Sequence, residues 1–155
     1  DANITAKMES WYSEGTEIVF ACGGGIYTSA MEAALGYDGM IIGVDVDQYS
    51  VGEGNDYNPV LTSAMKGLTA TVEDRLDAYF SGNWDSIGGK VQNLGLADGD
   101  YIGLPTEGAS WTFSTFTKDE YQKLLDGITD GSIAISNDTE NQPTVGEGVT
   151  VTYID

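Results

Sequence analysis

Two carboxylates and an amide, Asp45, Asp47 and Gln48, follow an unbroken apolar run and could bind a polar ligand. The run, residues 40–44, is rich in β-branched side chains, which is typical of a strand buried on both faces of a parallel sheet. In open α/β sheets, ligands bind beyond the carboxyl ends of the strands. The sequence therefore makes Asp45 the first candidate for ligand binding.

Lys66 is a second charged candidate, because it stands just beyond another short predicted strand, residues 60–64. Its position relative to that strand matches the position of Asp45 relative to its own. Most lysines in proteins are exposed. An ordinary solvated side chain is therefore the alternative interpretation of Lys66.

A glycine turn, Cys22-Gly23-Gly24-Gly25, lies between a predicted strand over 17–21 and a predicted helix over 27–35. Glycines let the backbone approach a ligand closely, and a helix N-terminus offers unpaired N–H groups. The spacing fits neither the dinucleotide-binding fingerprint nor a phosphate-binding loop. A tight turn without a ligand remains an open interpretation.

The remaining patterns complete an α/β chain. Apolar periodicity and a capping box predict further helices, and alternation predicts further strands, the last of them at a sheet edge. The predicted helices cover 3–14, 68–80 and a segment from Thr117 to Gly131, and the strands cover 90–96 and 101–104 as a hairpin, then 132–136 and 148–154. This order predicts one domain with a three-layer sandwich and a mostly parallel sheet.

Composition narrows the possible functions. The chain of 155 residues has six basic and 25 acidic residues, a net charge of -19 and no histidine. This balance argues against nucleic acid or an anionic membrane surface as a partner, since both attract Lys and Arg. It also argues against imidazole catalysis. One cysteine allows no internal disulfide, and no motif indicates a cofactor.

Several blocks of the chain, taken in order, resemble the basic-membrane-protein family, the solute-binding lipoproteins of ABC transporters that capture purine nucleosides. The resemblance covers roughly residues 1 to 136. The blocks are Ile-Val-Phe-Ala-Cys-Gly-Gly-Gly (18 to 25), Gly-Val-Asp-Val-Asp-Gln (43 to 48), Val-Leu-Thr-Ser-Ala-Met-Lys (60 to 66), Gly-Asn-Trp (82 to 84) and Leu-Gly-Leu-Ala-Asp-Gly (94 to 99).

The resemblance implies an incomplete lobe of the type I periplasmic-binding-protein fold, with ligand held in the cleft between two lobes. It implies that Asp45 accepts hydrogen bonds from ribose hydroxyls and that Lys66 faces the ligand. A carboxylate can accept from both hydroxyls of a cis-diol through charge-assisted hydrogen bonds. We expect Asp47 and Gln48 to hold the loop instead.

The glycine turn departs from the family pattern, because Ile26 and Tyr27 stand where Thr-Gly usually follows. Gly24 and Gly25 are candidate ligand contacts on the resemblance. Tyr27 is a third candidate, since its ring could extend the site. Packing is the alternative role for Tyr27.

The resemblance also implies partners and a location. The expected ligand is a purine nucleoside (guanosine, inosine or adenosine), and the expected protein partner is an ABC permease. A lipid anchor outside this chain would hold the intact protein at the extracytoplasmic face of the membrane, on the cell surface or in the periplasm. We expect residues 1–155 to be the C-terminal part of such a protein, cut by a protease or truncated.

Three alternatives accompany this expectation of a binding protein without enzyme activity. The solute could be different, such as a sugar, because many solutes carry a cis-diol. Asp45 and Asp47 could instead hold a divalent metal in an enzyme. The isolated chain could also bind no ligand and self-associate through its exposed cleft or an unpaired sheet edge.

Overall fold

The computed structural model describes residues 1–136 and 138–154, which form a mixed α/β fold. Four strands make one sheet in the order β1-β2-β3-β4. The first three strands are parallel, and β4 pairs antiparallel with β3. The predicted α/β class and mostly parallel sheet are confirmed. The strands are β1 Ile18–Phe20, β2 Met40–Asp45, β3 Val60–Lys66 and β4 Ile102–Gly103.

Four α-helices, each close to its predicted bounds, flank this sheet: α1 Ala2–Ser13, α2 Tyr27–Leu35, α3 Leu68–Phe80 and α4 Lys118–Thr129. Side-chain caps fix the starts of α1 and α4. The Asp1 carboxylate accepts from the first backbone N–H groups of α1. The predicted capping box of Thr117 and Glu120 is formed at α4, and these hydrogen bonds to Thr117 lower the pKa of Glu120. Within the described residues, no helix is both long and apolar enough to cross a membrane.

The core lies between one face of the sheet and the pair α1 and α2. Alanines of α2 let the helix approach the strands closely, and Tyr12 of α1 fills the space beside them. The Tyr12 hydroxyl donates to the Met40 carbonyl at 2.7 Å. Burial raises the pKa of Tyr12 to about 12. The buried apolar residues are Met8, Tyr12, Val19, Ala21, Ala30, Ala33, Ala34, Ile41 and Val60.

The face of the sheet opposite α1 and α2 is much less covered by other parts of the chain. Phe20 of β1 is 53% exposed. Helix α3 has no buried residue, and its apolar stripe, ending at Phe80, is open to solvent. The structure therefore packs α1 and α2 closely on one face of the sheet and leaves the other side partly bare.

A β-bulge interrupts the pairing of β2 with β3. Ile41 is opposite Val60, but Ile42 is opposite Thr62, so Leu61 is an extra residue. A bulge leaves backbone groups outside the regular ladder. The Leu61 carbonyl here accepts a hydrogen bond from the Thr112 hydroxyl, which ties a distant loop to the sheet.

Three predicted strands are wrong. Residues 90–96 form an irregular loop, so the predicted hairpin does not exist, and the chain near 102 pairs with β3 instead. Residues 132–136 and 148–154 are also irregular. Alternation stabilises a strand only where one face is buried, and five apolar residues of these segments are largely exposed: Val91, Ile135, Val149, Tyr153 and Ile154.

Candidate ligand-binding site

Asp45 and Lys66 meet at the carboxyl edge of the parallel strands. They are the last residues of β2 and β3, which are neighbours in the sheet. The Lys66 Nζ lies 2.6 Å from Asp45 Oδ1, and the two side chains are 66% and 39% exposed. The hydrogen bond and the charge of Asp45 raise the pKa of Lys66 above its usual value. Topology thus brings together two residues that sequence spacing placed at separate strand ends.

The backbone at Asp45 turns sharply. Its φ is 71°, in the left-handed region, and the N–H of Val46 donates to the carbonyl of Val44 at 2.8 Å. This arrangement is a γ-turn centred on Asp45, in the rarer, positive-φ form. The turn ends the strand and presents the carboxylate at the sheet edge.

Asp47 and Gln48 are engaged with the protein itself, as expected for residues that hold the loop. Asp47 accepts from the Tyr49 N–H at 3.0 Å and from the Ser110 hydroxyl at 2.6 Å. Buried Gln48 accepts from the Val44 N–H through its Oε1, and its own N–H donates to Ser63 Oγ, both at 3.0 Å. These bonds order the turn that carries Asp45.

A cavity of about 680 Å³ opens beside the ion pair. This volume lies within the range of small-molecule sites. Its walls come from the bare side of the sheet and from α4, and apart from Asp45 and Lys66 they are mainly apolar. The apolar side chains are Phe20, Val44, Ala64, Met65, Leu96, Ile102, Leu104, Phe116, Tyr121, Leu124, Leu125 and Ile128.

The glycine turn borders this cavity through Gly23 and Gly24. Gly24 has a φ of 56°, and a Cβ built on it would meet no described atom within 4 Å. Gly25 is outside the lining, and Tyr27 packs against the core near α1 and α2. The ligand contacts of Gly24, Gly25 and Tyr27 stay predictions, and the packing of Tyr27 matches its alternative role.

Sequence reasoning missed the apolar wall of the site. The stripe of Tyr121, Leu124, Leu125 and Ile128 was visible as one face of a helix, but its period does not distinguish a cavity wall from a core. Ser110 carried no signal at all. Its contact with Asp47 spans 63 residues of sequence and depends on tertiary packing.

The two carboxylates have different partners. Asp45 is paired with Lys66, and Asp47 is bound by Tyr49 and Ser110. Within residues 1–136 and 138–154, no group of three or more His, Cys, Asp or Glu could hold a metal ion.

Comparison with known proteins agrees with this architecture. The Bmp family model, described as ABC transporter substrate-binding protein PnrA-like, matches residues 1–136. A relative from Listeria monocytogenes, the CD4+ T-cell-stimulating antigen, is 33% identical over 132 residues, which covers 76% of this chain and 36% of that protein. The ABC transporter nucleoside-binding protein BmpA of Lactococcus lactis is 29% identical over 145 residues, covering 85% of this chain and 38% of that protein.

The chain thus spans a little over a third of the length of these relatives. The family match, in contrast, extends over most of the chain and includes the strands, the glycine turn and the Asp45–Lys66 pair. We conclude that this chain belongs to the Bmp family of PnrA-like ABC transporter substrate-binding proteins.

Proposed function

We propose that this chain is the ribose-binding part of a solute-binding protein that captures purine nucleosides for an ABC transporter. The observation that carries the proposal is the Asp45–Lys66 pair beside a largely apolar cavity. A nucleoside has the matching parts, a cis-diol on the sugar and a flat aromatic base whose two faces are apolar. The name of the Lactococcus lactis relative supports the same ligand class.

Asp45 would accept hydrogen bonds from the ribose 2′ and 3′ hydroxyls, because a carboxylate has two oxygens with free lone pairs. Lys66 would donate from its ammonium to a ribose or base oxygen. Gly24 would let the ligand approach the backbone closely. The apolar walls, including Phe116 and Tyr121, would take the base by burial and ring contact.

The intact protein would deliver its ligand to an ABC permease from the extracytoplasmic side, held at the membrane by a lipid anchor. Binding requires no bond to be broken in the ligand. Catalysis by acid and base would instead need two groups with separated proton affinities facing one substrate. We therefore propose a transport role without enzyme activity.

The test is the melting temperature of this chain with guanosine, inosine, adenosine, cytidine, ribose and free bases. A ligand bound to the native state stabilises it by RT ln(1 + [L]/Kd). We expect purine nucleosides to raise the melting temperature and Asp45→Asn to abolish the rise. Asp77→Asn is the matched control, since it removes one charge from exposed α3, and it should keep the rise.

A different pattern would identify the alternatives. An equal rise with free ribose would favour a sugar ligand. A response that disappears with chelator would favour a metal site. No rise with any compound would contradict nucleoside binding by this chain.

A further inference from the structure

The γ-turn at Asp45 requires support from its surroundings. A positive φ at a non-glycine residue strains the backbone, and such strain persists only where neighbouring contacts hold it. The ion pair with Lys66 is an inadequate support, because both side chains are substantially exposed and exposed pairs contribute little. Other residues must hold the turn.

Gln48 stabilises the turn by hydrogen bonds to β2 and β3. Its side chain folds back along β2, where its Oε1 accepts the Val44 N–H just before the turn. Gly43 makes room for it, since a Cβ there would lie 2.4 Å from that Oε1. After the turn, the Gln48 N–H donates to Ser63 Oγ of the neighbouring strand. The chain is therefore fixed on both sides of Asp45.

Ser110 stabilises the loop by a hydrogen bond to Asp47. Its hydroxyl donates to Asp47, and it directly precedes an aromatic cluster of Trp111, Phe113, Phe116 and Tyr121. Trp111 and Phe116 stack with ring centroids 5.8 Å apart. The loop that follows Asp45 is thus hydrogen-bonded to a residue next to a packed aromatic cluster, not to a mobile segment.

Gln48, Ser63 and Ser110 lie outside the cavity lining formed by the described residues. We propose that Gln48 and Ser110 are positioning residues for the ligand: they keep Asp45 in its strained turn and direct its carboxylate to Lys66 and the cavity. Ligand affinity then depends on two residues that touch no ligand. The expected change in ligand affinity rests on the proposed function. The expected effect on the contact between Asp45 and Lys66 does not.

The experiment uses Gln48→Met, which removes the acceptor and keeps the chain length, and Ser110→Ala, which removes the hydroxyl. The first readout needs no ligand. It is the pKa of the Lys66 ammonium, measured by NMR, which Asp45 raises. The second is the affinity for inosine and guanosine. We expect the Lys66 pKa to return toward its usual value and both affinities to fall on the order of tenfold.

Two variants serve as controls. Ser110→Thr retains the hydroxyl and should restore both readouts. Tyr57→Phe removes hydrogen bonds to the carbonyls of Ala34 and Gly39, away from the Asp45 turn. It should lower the melting temperature while the Lys66 pKa and the affinities stay unchanged. A general loss of stability is thereby separated from a loss of positioning.

A Lys66 pKa that stays raised in both Gln48→Met and Ser110→Ala would overturn the inference. Wild-type protein that binds neither nucleoside would contradict the proposed function alone. The Lys66 measurement would then still decide whether Gln48 and Ser110 position Asp45.

Discussion

Asp45 and Tyr12 show how single residues in different parts of the fold differ in their roles. Asp45 is partly exposed and strained, and its carboxylate is paired with Lys66. Tyr12 is buried in the core, and its hydroxyl donates to the Met40 carbonyl. Under the proposed function Asp45 contributes to ligand binding, whereas Tyr12 contributes to stability, so their substitution should affect different measurements.

Tyr12 should make the protein sensitive to alkali. Its folded-state pKa of about 12 is above the ordinary 10.0, so the folded protein holds the phenol proton more tightly than the unfolded chain does. The contribution is complete below pH 10 and is lost as pH rises toward 12, a loss on the order of 2 kcal/mol. Urea unfolding between these pH values measures it.

Tyr12→Phe is the variant that isolates this effect. It should flatten part of the alkaline decline, while the raised pKa values of Tyr57 and Lys66 leave a remainder. An unchanged pH dependence in Tyr12→Phe would contradict the assignment. At neutral pH, the variant removes the side-chain hydrogen bond to the Met40 carbonyl, which costs about 0.5–1.5 kcal/mol.

Gly43 should tolerate no side chain. A Cβ would meet Gln48 Oε1 at 2.4 Å and Ser63 Oγ at 2.9 Å. We expect Gly43→Ala to expel the Gln48 side chain and to lower the unfolding free energy by about 1–3 kcal/mol, because the buried Val44 N–H loses its acceptor. Gly95→Ala, where the space is open, is the control. Equal unfolding curves for the two variants would refute this account.

At the scale of secondary-structure elements, the helices differ in how far packing determines them. Helix α2 has four buried residues, whereas α3 has none. An element without buried residues depends on its own propensity and on its caps. Substitutions on the two helices should therefore have unequal effects.

We expect Val72→Gln on α3 to change the unfolding free energy by no more than about 0.5 kcal/mol, because the side chain is already exposed. Ala33→Leu on α2 should destabilise by about 1–3 kcal/mol, because Ala33 is fully buried and the added atoms overfill the core. Urea denaturation compares the two. A large effect at Val72 would show that another surface covers α3 in solution.

The elements also show what sequence can predict. Helices and buried strands were predicted because their signals are local, such as the apolar run before Asp45 and the capping box at Thr117. The strands near 92, 134 and 151 were wrong because alternation does not show whether a sheet edge is there to receive them. The meeting of Asp45 and Lys66 followed from strand topology, but the return of Gln48 along β2 and the reach of Ser110 depend on tertiary packing.

At the scale of the whole molecule, charge is the dominant feature. The chain has six basic and 25 acidic residues, so its negative charges repel one another strongly in the folded state. Repulsion of this kind opposes compaction and weakens when salt screens it. The stability of the whole fold should therefore depend on ionic strength.

We expect the melting temperature to rise when NaCl increases from about 0.01 M to about 0.15 M, since the Debye length falls from about 30 Å to about 8 Å. The gain should shrink at acidic pH, where the carboxylates are protonated. Differential scanning calorimetry at two pH values measures both. A melting temperature that falls with salt at neutral pH would mean that attractive pairs outweigh the net repulsion.

The sequence has one cysteine, Cys22, which is exposed and lies in the lining of the cavity next to the glycine turn. A thiol-reactive fluorophore would therefore attach at a single place without any engineering. Displacement of water from the cavity would change the emission of a polarity-sensitive dye there. Under the proposed function, the chain labelled at Cys22 would therefore report solute binding as a change in emission.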